Sequence, residues 1–392
     1  MTAALNVDLA ILGAGCAGLS LAQRLSENPW WTKKTVLIET RTTYTNDRSW
    51  CFWEPQDRAL RPALHGLITH RWPKWQFSGQ QFQVTHHVPG RDYCYIASDR
   101  FYQHALSALK QHQSISLQMG HAVVSVKMQP KGYAIELADG STLRARQVID
   151  TRPKVYTDSK EAALWQIIYG LEVRASTSVF EPDTVGLMKE LNASLIGTQF
   201  VYVLPFSSEH ALIEWTLFST QLISPKQMEP LLQAHLHTHY PTTMFQVIRT
   251  EHAVLPMGLK IDHKRQCSRP NYRYAGQVAG AIRPATGYAF LRIQRWACAA
   301  ANHMATQQSL PAPQHSPWLI RAMDRLFLEI LNTRPKLGPS LFQALSLRVA
   351  PAVLVRFLSD EASVLDCARV MRALPAPLFI RHSMQRLCAW SR

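Results

Sequence analysis

The chain opens with an apolar run, a glycine-rich turn, a helix-forming run and a second apolar run. Residues 7–12 have the composition of a short buried strand, and a GxGxxG segment follows at residues 13–18. Residues 19–27 are good helix formers, and residues 35–39 resemble a second strand. Strand, helix and strand in this order predict one βαβ unit and hence a parallel, doubly wound sheet.

The middle of the chain alternates apolar and polar positions with a period of two, which is typical of antiparallel strands. Residues 133–137 and 142–145 flank the turn sequence Ala-Asp-Gly-Ser, which predicts a hairpin. Residues 200–204 and 211–218 flank a second turn sequence. We therefore predict a second, antiparallel sheet inserted into the first domain.

The last third of the chain is predicted to be mostly helical. Residues 272–275 repeat the buried-strand pattern, and a helix without proline or glycine is expected from residue 289 to about residue 307. After a proline-containing linker, residues 318–358 alternate apolar stripes with arginines. Amphipathic helices of this kind lie either on a membrane surface or on the protein itself, and the pattern leaves both open.

Composition indicates a globular protein with an anionic partner. Apolar residues make up 47% of the 392 residues, and 42 Lys and Arg against 27 Asp and Glu give a formal net charge of +15. Such a charge favours nucleic acid, a phosphorylated cofactor or an acidic lipid surface. No nucleic-acid-binding motif is present and the arginines are scattered, so we do not expect nucleic acid.

The cysteines and the first residues indicate a cytosolic protein. The seven cysteines are an odd number without a CxxC pair, which argues against a disulfide scaffold and a thiolate zinc site. The first residues lack the basic segment and long apolar run of a signal peptide, and no run of about 18 apolar residues occurs. The seven are Cys16, Cys51, Cys94, Cys267, Cys298, Cys367 and Cys388.

The glycine-rich turn predicts a bound dinucleotide. Gly13 permits the tight turn, Gly15 lets the backbone approach a pyrophosphate, and Gly18 lets helix and strand pack closely. The helix N-terminus favours phosphate, and Glu39 at the end of the next strand can accept hydrogen bonds from ribose hydroxyls. Arg100 opens a later helix and is a further candidate for the phosphates, with a solvated surface arginine as the alternative.

A second glycine-rich segment favours FAD over NAD. A later strand ends at Asp150, and the segment containing Gly276, Gln277 and Gly287 resembles the GDxxG…P…G box of FAD-binding two-domain enzymes. In those enzymes the aspartate holds the ribitol, and here Gln277 replaces it. The helix that follows Gly287 would direct its positive end at the flavin.

These patterns predict an α/β, two-domain FAD-binding fold of the Rossmann type, similar to glutathione reductase and the hydroxylases. The predicted FAD-binding domain comprises residues 1–75, 96–155 and 265–310, the substrate-binding β-sheet domain comprises residues 76–95 and 156–264, and a C-terminal helical, candidate membrane-facing region comprises residues 311–392.

Four separated motifs resemble those of bacterial carotenoid cyclases. Residues 44–54 (YTNDRSWCFWE) look like their NDRTWCFW segment, and residues 212–216 (LIEWT) are similar to their LIExT motif. Residues 283–288 (RPATGY) resemble PxTGY, and residues 356–363 with 371–375 resemble the FLDEET…MxxLP ending. The motifs occur in the family's order, so the chain resembles the lycopene β-cyclases.

The resemblance, which extends over residues 6–380, implies an FAD-dependent isomerase of the intramolecular lyase class. Such a cyclase protonates the terminal C1=C2 bond of lycopene, closes C6 on the C1 cation and removes a proton from C6. One β-ring gives γ-carotene and two give β-carotene. No net redox change occurs, although the family uses reduced FAD, for which NAD(P)H is the expected electron source.

The resemblance also implies which side chains act on the substrate. Glu214 of the LIExT motif is the expected catalytic acid or base, and burial in its strand would raise its pKa. An exposed edge glutamate is the alternative that the strand pattern leaves open. The aromatic residues expected to face the substrate are Trp50, Phe52, Trp53, Trp215 and Tyr288, and core packing is the alternative for them.

The histidines of residues 235–239 (HLHTH) suggest a metal site, but we expect no metal. No Asp or Cys lies at a useful spacing, and Pro241 ends the segment.

Lycopene does not dissolve in water, so the resemblance implies that it enters from a bilayer. We therefore expect a peripheral protein on the inner face of the cell membrane, with other carotenoid-pathway enzymes as candidate partners. Two rival interpretations remain open. One is a redox FAD monooxygenase or oxidoreductase acting on an apolar isoprenoid, and the other is a basic binding protein without flavin.

Overall fold

The computed structural model describes residues 5–261, 269–311 and 316–379. The remaining parts of the predicted domains, and with them Cys267 and Cys388, lie outside the described residues. The five described cysteines are free thiols.

The described strands are β1 (Leu5–Leu12), β2 (Thr35–Glu39), β3 (Ser49–Trp53), β4 (His70–Trp72), β5 (Lys74–Gly79), β6 (Phe82–His87), β7 (Tyr93–Ala97), β8 (Ile115–Met119), β9 (Val123–Gln129), β10 (Gly132–Leu137), β11 (Thr142–Asp150), β12 (Leu164–Ala175), β13 (Thr184–Ala193), β14 (Gly197–Pro205), β15 (His210–Ser219), β16 (Phe245–Met257) and β17 (Tyr272–Tyr274). The described helices are α1 (Cys16–Ser26), α2 (Leu60–His65), α3 (Ser98–Lys110), α4 (Glu229–His239), α5 (Phe290–Gln307), α6 (Trp318–Thr333), α7 (Gly338–Arg348), α8 (Pro351–Leu358) and α9 (Val364–Ala373).

The first sheet confirms the predicted βαβ unit and hairpin. Strands β8, β2, β1 and β11 lie side by side and run parallel. The first half of β11 pairs with β10 of the antiparallel meander β9–β10, and its last three residues pair with β17. All five residues of β2 are buried, as expected for a parallel strand covered on both faces. Helices α1 and α5 pack against each other over this sheet.

The second sheet confirms the predicted antiparallel insertion, with one difference. Its strand order is β16-β12-β15-β14-β13-β5-β6, and every pair is antiparallel except β13 with β5. Strand β5 comes from a much earlier part of the chain and is not joined to β13 by a hairpin, so the connection does not force the pair to be antiparallel. A third, smaller sheet has three strands in the order β3-β7-β4.

The C-terminal helices confirm the predicted helical region and pack on the second sheet. Helix α6 buries an apolar stripe at helical spacing, and α7 contacts β5 and β13. The stripe on α6 is Ile320, Phe327, Leu328, Ile330 and Leu331. Much of the apolar surface in this region therefore packs on the protein itself, whereas Val364, Leu365 and Met371 of α9 stay exposed.

A buried ion pair joins the loop before α5 to α6. Arg283 is fully buried, and its Nε and Nη2 lie 3.2 Å from the two carboxylate oxygens of Asp324. The guanidinium also lies over the ring of Phe357, 4.4 Å from its centroid, and donates to the Phe357 carbonyl. The pair ties the C-terminal helices to the loop before α5, since the partners of Arg283 come from α6 and α8.

We expect Arg283→Leu to lower the free energy of unfolding by about 3–5 kcal/mol, because it leaves the Asp324 carboxyl buried without its counter-charge. Denaturant unfolding followed by tryptophan fluorescence measures the change. The control is Arg325→Leu on the same helix, whose pair with Glu329 involves an arginine that is 65% exposed. That variant should lose at most about 1 kcal/mol. Equal losses in the two variants would contradict the assignment.

Candidate active site

One cavity of about 1110 Å³ reaches from the glycine-rich turn of the first sheet to the C-terminal helices. Its walls come from the first sheet, the second sheet and helices α6–α9, and its two ends differ in polarity. The turn end is lined by Gly13, Gly15, Glu39, Arg41 and Arg152, and the helical end by Phe327, Phe342, Leu354, Phe357 and Leu374. A polar ligand and a long apolar ligand can therefore occupy one continuous space.

The glycine-rich turn leaves a helix N-terminus open toward the cavity. Gly13 has φ +88°, and a Cβ on Gly18 would lie 2.1 Å from the Gly13 carbonyl oxygen. Gly15 is the N-cap of α1, and no side chain caps the free N–H groups of the first turn. Gly13, Gly15 and the first residues of α1 line the cavity, whereas Gly18 packs behind them. This geometry suits a phosphate.

Glu39 presents an ionised carboxylate beside the turn. Its carboxylate accepts hydrogen bonds from the Ala14 N–H at 2.8 Å and from the Arg41 N–H at 3.0 Å. Burial works against the charge, but the hydrogen bonds from Arg41 outweigh it and lower the pKa of Glu39 below its ordinary value. Arg41 itself lies over the ring of Tyr44, 4.7 Å from its centroid. The sequence analysis did not single out Arg41.

Besides Gly18, two of the predicted cofactor residues, Asp150 and Arg100, do not line the cavity. Asp150 accepts a hydrogen bond from the Tyr272 hydroxyl at 2.6 Å and pairs with Arg152 at 2.8 Å, so its carboxylate is already satisfied. Thr151 and Arg152, the next residues, line the cavity in its place. Arg100 donates to the Gly66 carbonyl at 2.8 Å in an exposed contact, which agrees with the surface alternative.

The second glycine-rich segment closes the polar end of the cavity. Gly276, Gln277 and Gly287 all line it, and the two glycines have φ of +70° and +76°. A Cβ on Gly287 would lie 2.0 Å from Oε1 of Gln166. That oxygen is buried and has no hydrogen-bond partner among the described residues, so a polar group of a ligand could satisfy it. The residues present therefore fit an elongated dinucleotide such as FAD.

Glu214 lies in a row of three residues that crosses three strands. Gly170 of β12 pairs with Glu214 of β15 on one side and with Glu251 of β16 on the other. Both glutamates are buried and line the cavity. A Cβ on Gly170 would lie 2.7 Å from Cγ of Glu214, so glycine makes room for the acid. Glu251 and Gly170 were not identified from the sequence.

The surroundings of Glu214 favour its protonated form. Burial is the largest effect and raises the pKa of Glu214 well above its ordinary value, and the negative charge of Glu251 raises it further. Arg249 acts in the opposite direction but is outweighed. Among the described residues, no group donates a hydrogen bond to the Glu214 carboxyl. The edge-glutamate alternative therefore does not describe this position.

The five predicted aromatic residues divide into two groups. Trp50 and Tyr288 line the cavity. Phe52 and Trp53 are core residues, since Phe52 stacks on Phe290 and Trp53 is 1% exposed. Trp215 lies on the opposite face of β15 from Glu214, near His235 of α4, because successive side chains alternate across a strand. These last three residues, which were expected to face the substrate, do not line the cavity.

Two tyrosines that the sequence analysis missed extend the polar wall. The hydroxyls of Tyr202 and Tyr93 are 3.0 Å apart, and those of Tyr93 and Tyr288 are also 3.0 Å apart. All three line the cavity, and burial raises the pKa of each well above the ordinary range, so the hydroxyls stay neutral. They come from β14, β7 and the loop before α5, which no local sequence pattern connects.

The histidine segment forms a separate cluster outside the lining of the cavity. His235 and His239 of α4 lie 3.2 Å and 3.1 Å from the carboxylate of Glu190 on β13. The three donor atoms lie within 4.8 Å of one another, which an ion could bridge. Glu190 is far away in the sequence, so spacing alone did not show it. That no metal binds here stays a prediction.

The fold matches those of flavin-dependent enzymes. A geranylgeranyl bacteriochlorophyll reductase-like protein from Thermoplasma acidophilum superposes with a TM-score of 0.63 at 13% identity, covering 96% of this chain and 98% of that one. The p-nitrophenol 4-monooxygenase of Pseudomonas putida gives a TM-score of 0.57 at 12% identity, covering 94% and 96%. These likenesses confirm the predicted fold class.

Sequence comparison identifies the family. The chain is 27% identical over 290 residues to a lycopene beta-cyclase of Pseudescherichia vulneris, covering 72% of this chain and 70% of that protein. It is 23% identical to a chloroplastic lycopene beta cyclase of Arabidopsis thaliana, covering 78% of this chain but only 62% of the relative. The model of the family described as lycopene cyclase protein matches residues 8–384. Because that match covers nearly the whole sequence, the chain belongs to the lycopene cyclase family.

Proposed function

We propose that this protein is a lycopene β-cyclase, which turns the linear ends of lycopene into β-rings without net redox chemistry. The observation that carries the proposal is Glu214, a buried carboxyl whose surroundings raise its pKa, on the wall of a cavity that joins a dinucleotide-type turn to an apolar tunnel. The family's LIExT motif places its glutamate at this position. The enzyme is an isomerase of the intramolecular lyase class.

Glu214 supplies the proton that starts ring closure. A carboxyl whose pKa is raised by burial keeps its proton near neutrality and can donate it to an alkene, which an ionised carboxylate cannot do. It protonates C2, the C1 cation is attacked by the C5=C6 bond, and C6 then loses a proton. The Glu214 carboxylate formed in the first step can take that proton, so atoms and electrons balance.

The rest of the wall protects and stabilises the cation. Trp50 and Tyr288 present aromatic faces to the cavity, and such faces attract positive charge. The neutral hydroxyls of Tyr93, Tyr202 and Tyr288 bond to one another, which keeps them from reacting as bases toward the substrate. Apolar side chains of α6–α8 line the remainder of the tunnel and exclude water, which would otherwise capture the cation.

We propose that FAD binds along the polar end, with its phosphates at the first turn of α1 and a ribose hydroxyl on Glu39. Gly276, Gln277 and Gly287 would hold its ribityl and ring end, and Oε1 of Gln166 would accept a hydrogen bond from it. When reduced, the bound flavin would supply an electron-rich ring system that stabilises positive charge. NAD(P)H is the proposed electron source.

We propose that the protein works as a peripheral protein on the inner face of the cell membrane. None of the described helices is long and apolar enough to cross a bilayer. The cavity reaches Met371 of α9, which is exposed together with Val364 and Leu365, and Arg372 follows in the same helix. An exposed apolar patch with basic residues suits an anionic lipid surface, through which lycopene would enter and where other pathway enzymes could meet the protein.

The predicted division into an FAD-binding domain, a substrate domain and a C-terminal region also stays a proposal. It is supported by the first sheet, the second sheet and helices α6–α9, which form three successive walls of the cavity.

We expect Glu214→Gln to lower ring formation at least about 100-fold, because an amide cannot donate the proton. The measurement is pigment chromatography of a lycopene-accumulating bacterium that expresses the variant. Flavin absorbance of the purified variant should be unchanged, since Glu214 lies on the second sheet and the glycine-rich turn on the first. The control is Glu209→Gln, an exposed glutamate in the turn that precedes the same strand.

Normal cyclisation by Glu214→Gln would contradict the role of this acid. A strict requirement for dioxygen in the unchanged protein would instead favour the redox monooxygenase. A purified protein without flavin absorbance would favour the basic binding protein.

We expect the double change Val364→Asp and Leu365→Asp to weaken binding to anionic phospholipid vesicles at least about tenfold, because two exposed apolar side chains no longer enter the lipid. Vesicle co-sedimentation measures the binding. The control is Val124→Asp on β9, an equally exposed valine outside α9. Equal binding by all three proteins would contradict the proposed membrane surface.

A further inference from the structure

The second buried glutamate has a fixed position that the reaction as proposed does not use. Glu251 accepts hydrogen bonds from the Ser49 N–H at 2.9 Å and the Ser49 hydroxyl at 2.7 Å. Arg249 donates to the same carboxylate at 2.7 Å. Three donors, one of them charged, stabilise negative charge on this carboxylate and hold it in one orientation.

The cation beside Glu251 is itself shared with a second acid. Arg249 also donates to Glu172 at 2.5 Å, and Glu172 lies 2.8 Å from Nε2 of His210. Arg249 therefore pairs with two carboxylates, so that its single charge does not cancel both of theirs. At Glu214 the negative charge of Glu251 acts more strongly than the positive charge of Arg249.

Glycine at position 170 brings the two acids face to face. Because Gly170 pairs with both residues across the three strands, the glutamates point to the same face of the sheet with no side chain between them. Ionising both carboxyls in one buried site costs free energy, because the two negative charges repel each other. The carboxyl with more hydrogen-bond donors is therefore the one whose ionised form is favoured. Here Glu251 has three donors, and Glu214 has none among the described residues.

We infer that Glu251 is a positioning residue whose fixed negative charge, facing Glu214 across Gly170, keeps Glu214 protonated for ring closure. The inference rests on the proposed function for its catalytic meaning. The charge coupling between the two carboxyls does not rest on the proposed function, because it follows from their positions alone.

Other titratable groups near Glu214 do not carry charge. Burial raises the pKa of the Cys51 thiol and of the neighbouring tyrosines well above the ordinary ranges, so all of them are neutral. The groups that face the two acids from the surrounding elements are Cys51 of β3, Tyr93 and Tyr95 of β7, Tyr202 of β14, Tyr288 before α5, and Arg249 of β16. The charges acting on Glu214 are those of Glu251 and Arg249.

The test is an infrared titration of the protonated carboxyl of Glu214, identified as the C=O band that Glu214→Gln removes. In Glu251→Gln this band should disappear at a pH lower by on the order of one unit, because the facing negative charge is gone while Arg249 remains. The alkaline limb of the pH profile of kcat/KM should move in the same direction. Glu251→Asp keeps the negative charge and should restore both the titration of the band and the alkaline limb of the pH profile.

The matched control is Glu172→Gln, which removes the other acid bound to Arg249 but not the one in the row. It should shift the pH at which the band disappears by less than half as much as Glu251→Gln does. An unchanged titration in Glu251→Gln, or an equal shift in both variants, overturns the inference. Absence of lycopene turnover in the unchanged protein overturns the proposed function instead, and the infrared titration does not depend on it.

Discussion

Keeping one carboxyl protonated at neutral pH is the constraint on which this structure depends. An ionised carboxylate loses much of its hydration when it is buried, and an acid in such surroundings keeps its proton. Glu214 meets this condition because it lies on the inner face of the second sheet without a donor among the described residues. A neighbouring negative charge strengthens the effect.

The remaining architecture brings an apolar chain and a dinucleotide to that one group. The parallel sheet places its glycine-rich turn and Glu39 at one end of the cavity, and the second sheet supplies the acid on the wall. Helices α6–α9 close the tunnel, and Asp324 of α6 ties them to Arg283 in the loop before α5. A reductase-like protein and a monooxygenase have similar folds, so the function has to be argued from the side chains of the site.

Local patterns predicted the elements, whereas features that depend on register or on distant neighbours were not predictable. The βαβ unit and the hairpins follow from hydrophobic periodicity, and Glu214 was found from a motif. The pairing of Gly170 with two glutamates depends on the register of three strands, so no spacing revealed Glu251. Asp150 was expected at the cofactor but is satisfied by Tyr272, a partner from a separate segment of the chain.

The most direct test of the account is a single ring closure in heavy water, without oxygen, by enzyme that has been equilibrated with deuterium and supplied with reduced FAD. Mass spectrometry and NMR of the γ-carotene report what was added and where. If a carboxyl donates a solvent-derived proton, the product carries one deuterium, at C2 of the new ring, and is otherwise an isomer of lycopene. A product without deuterium, or one that has gained oxygen or a pair of hydrogens, would contradict the account.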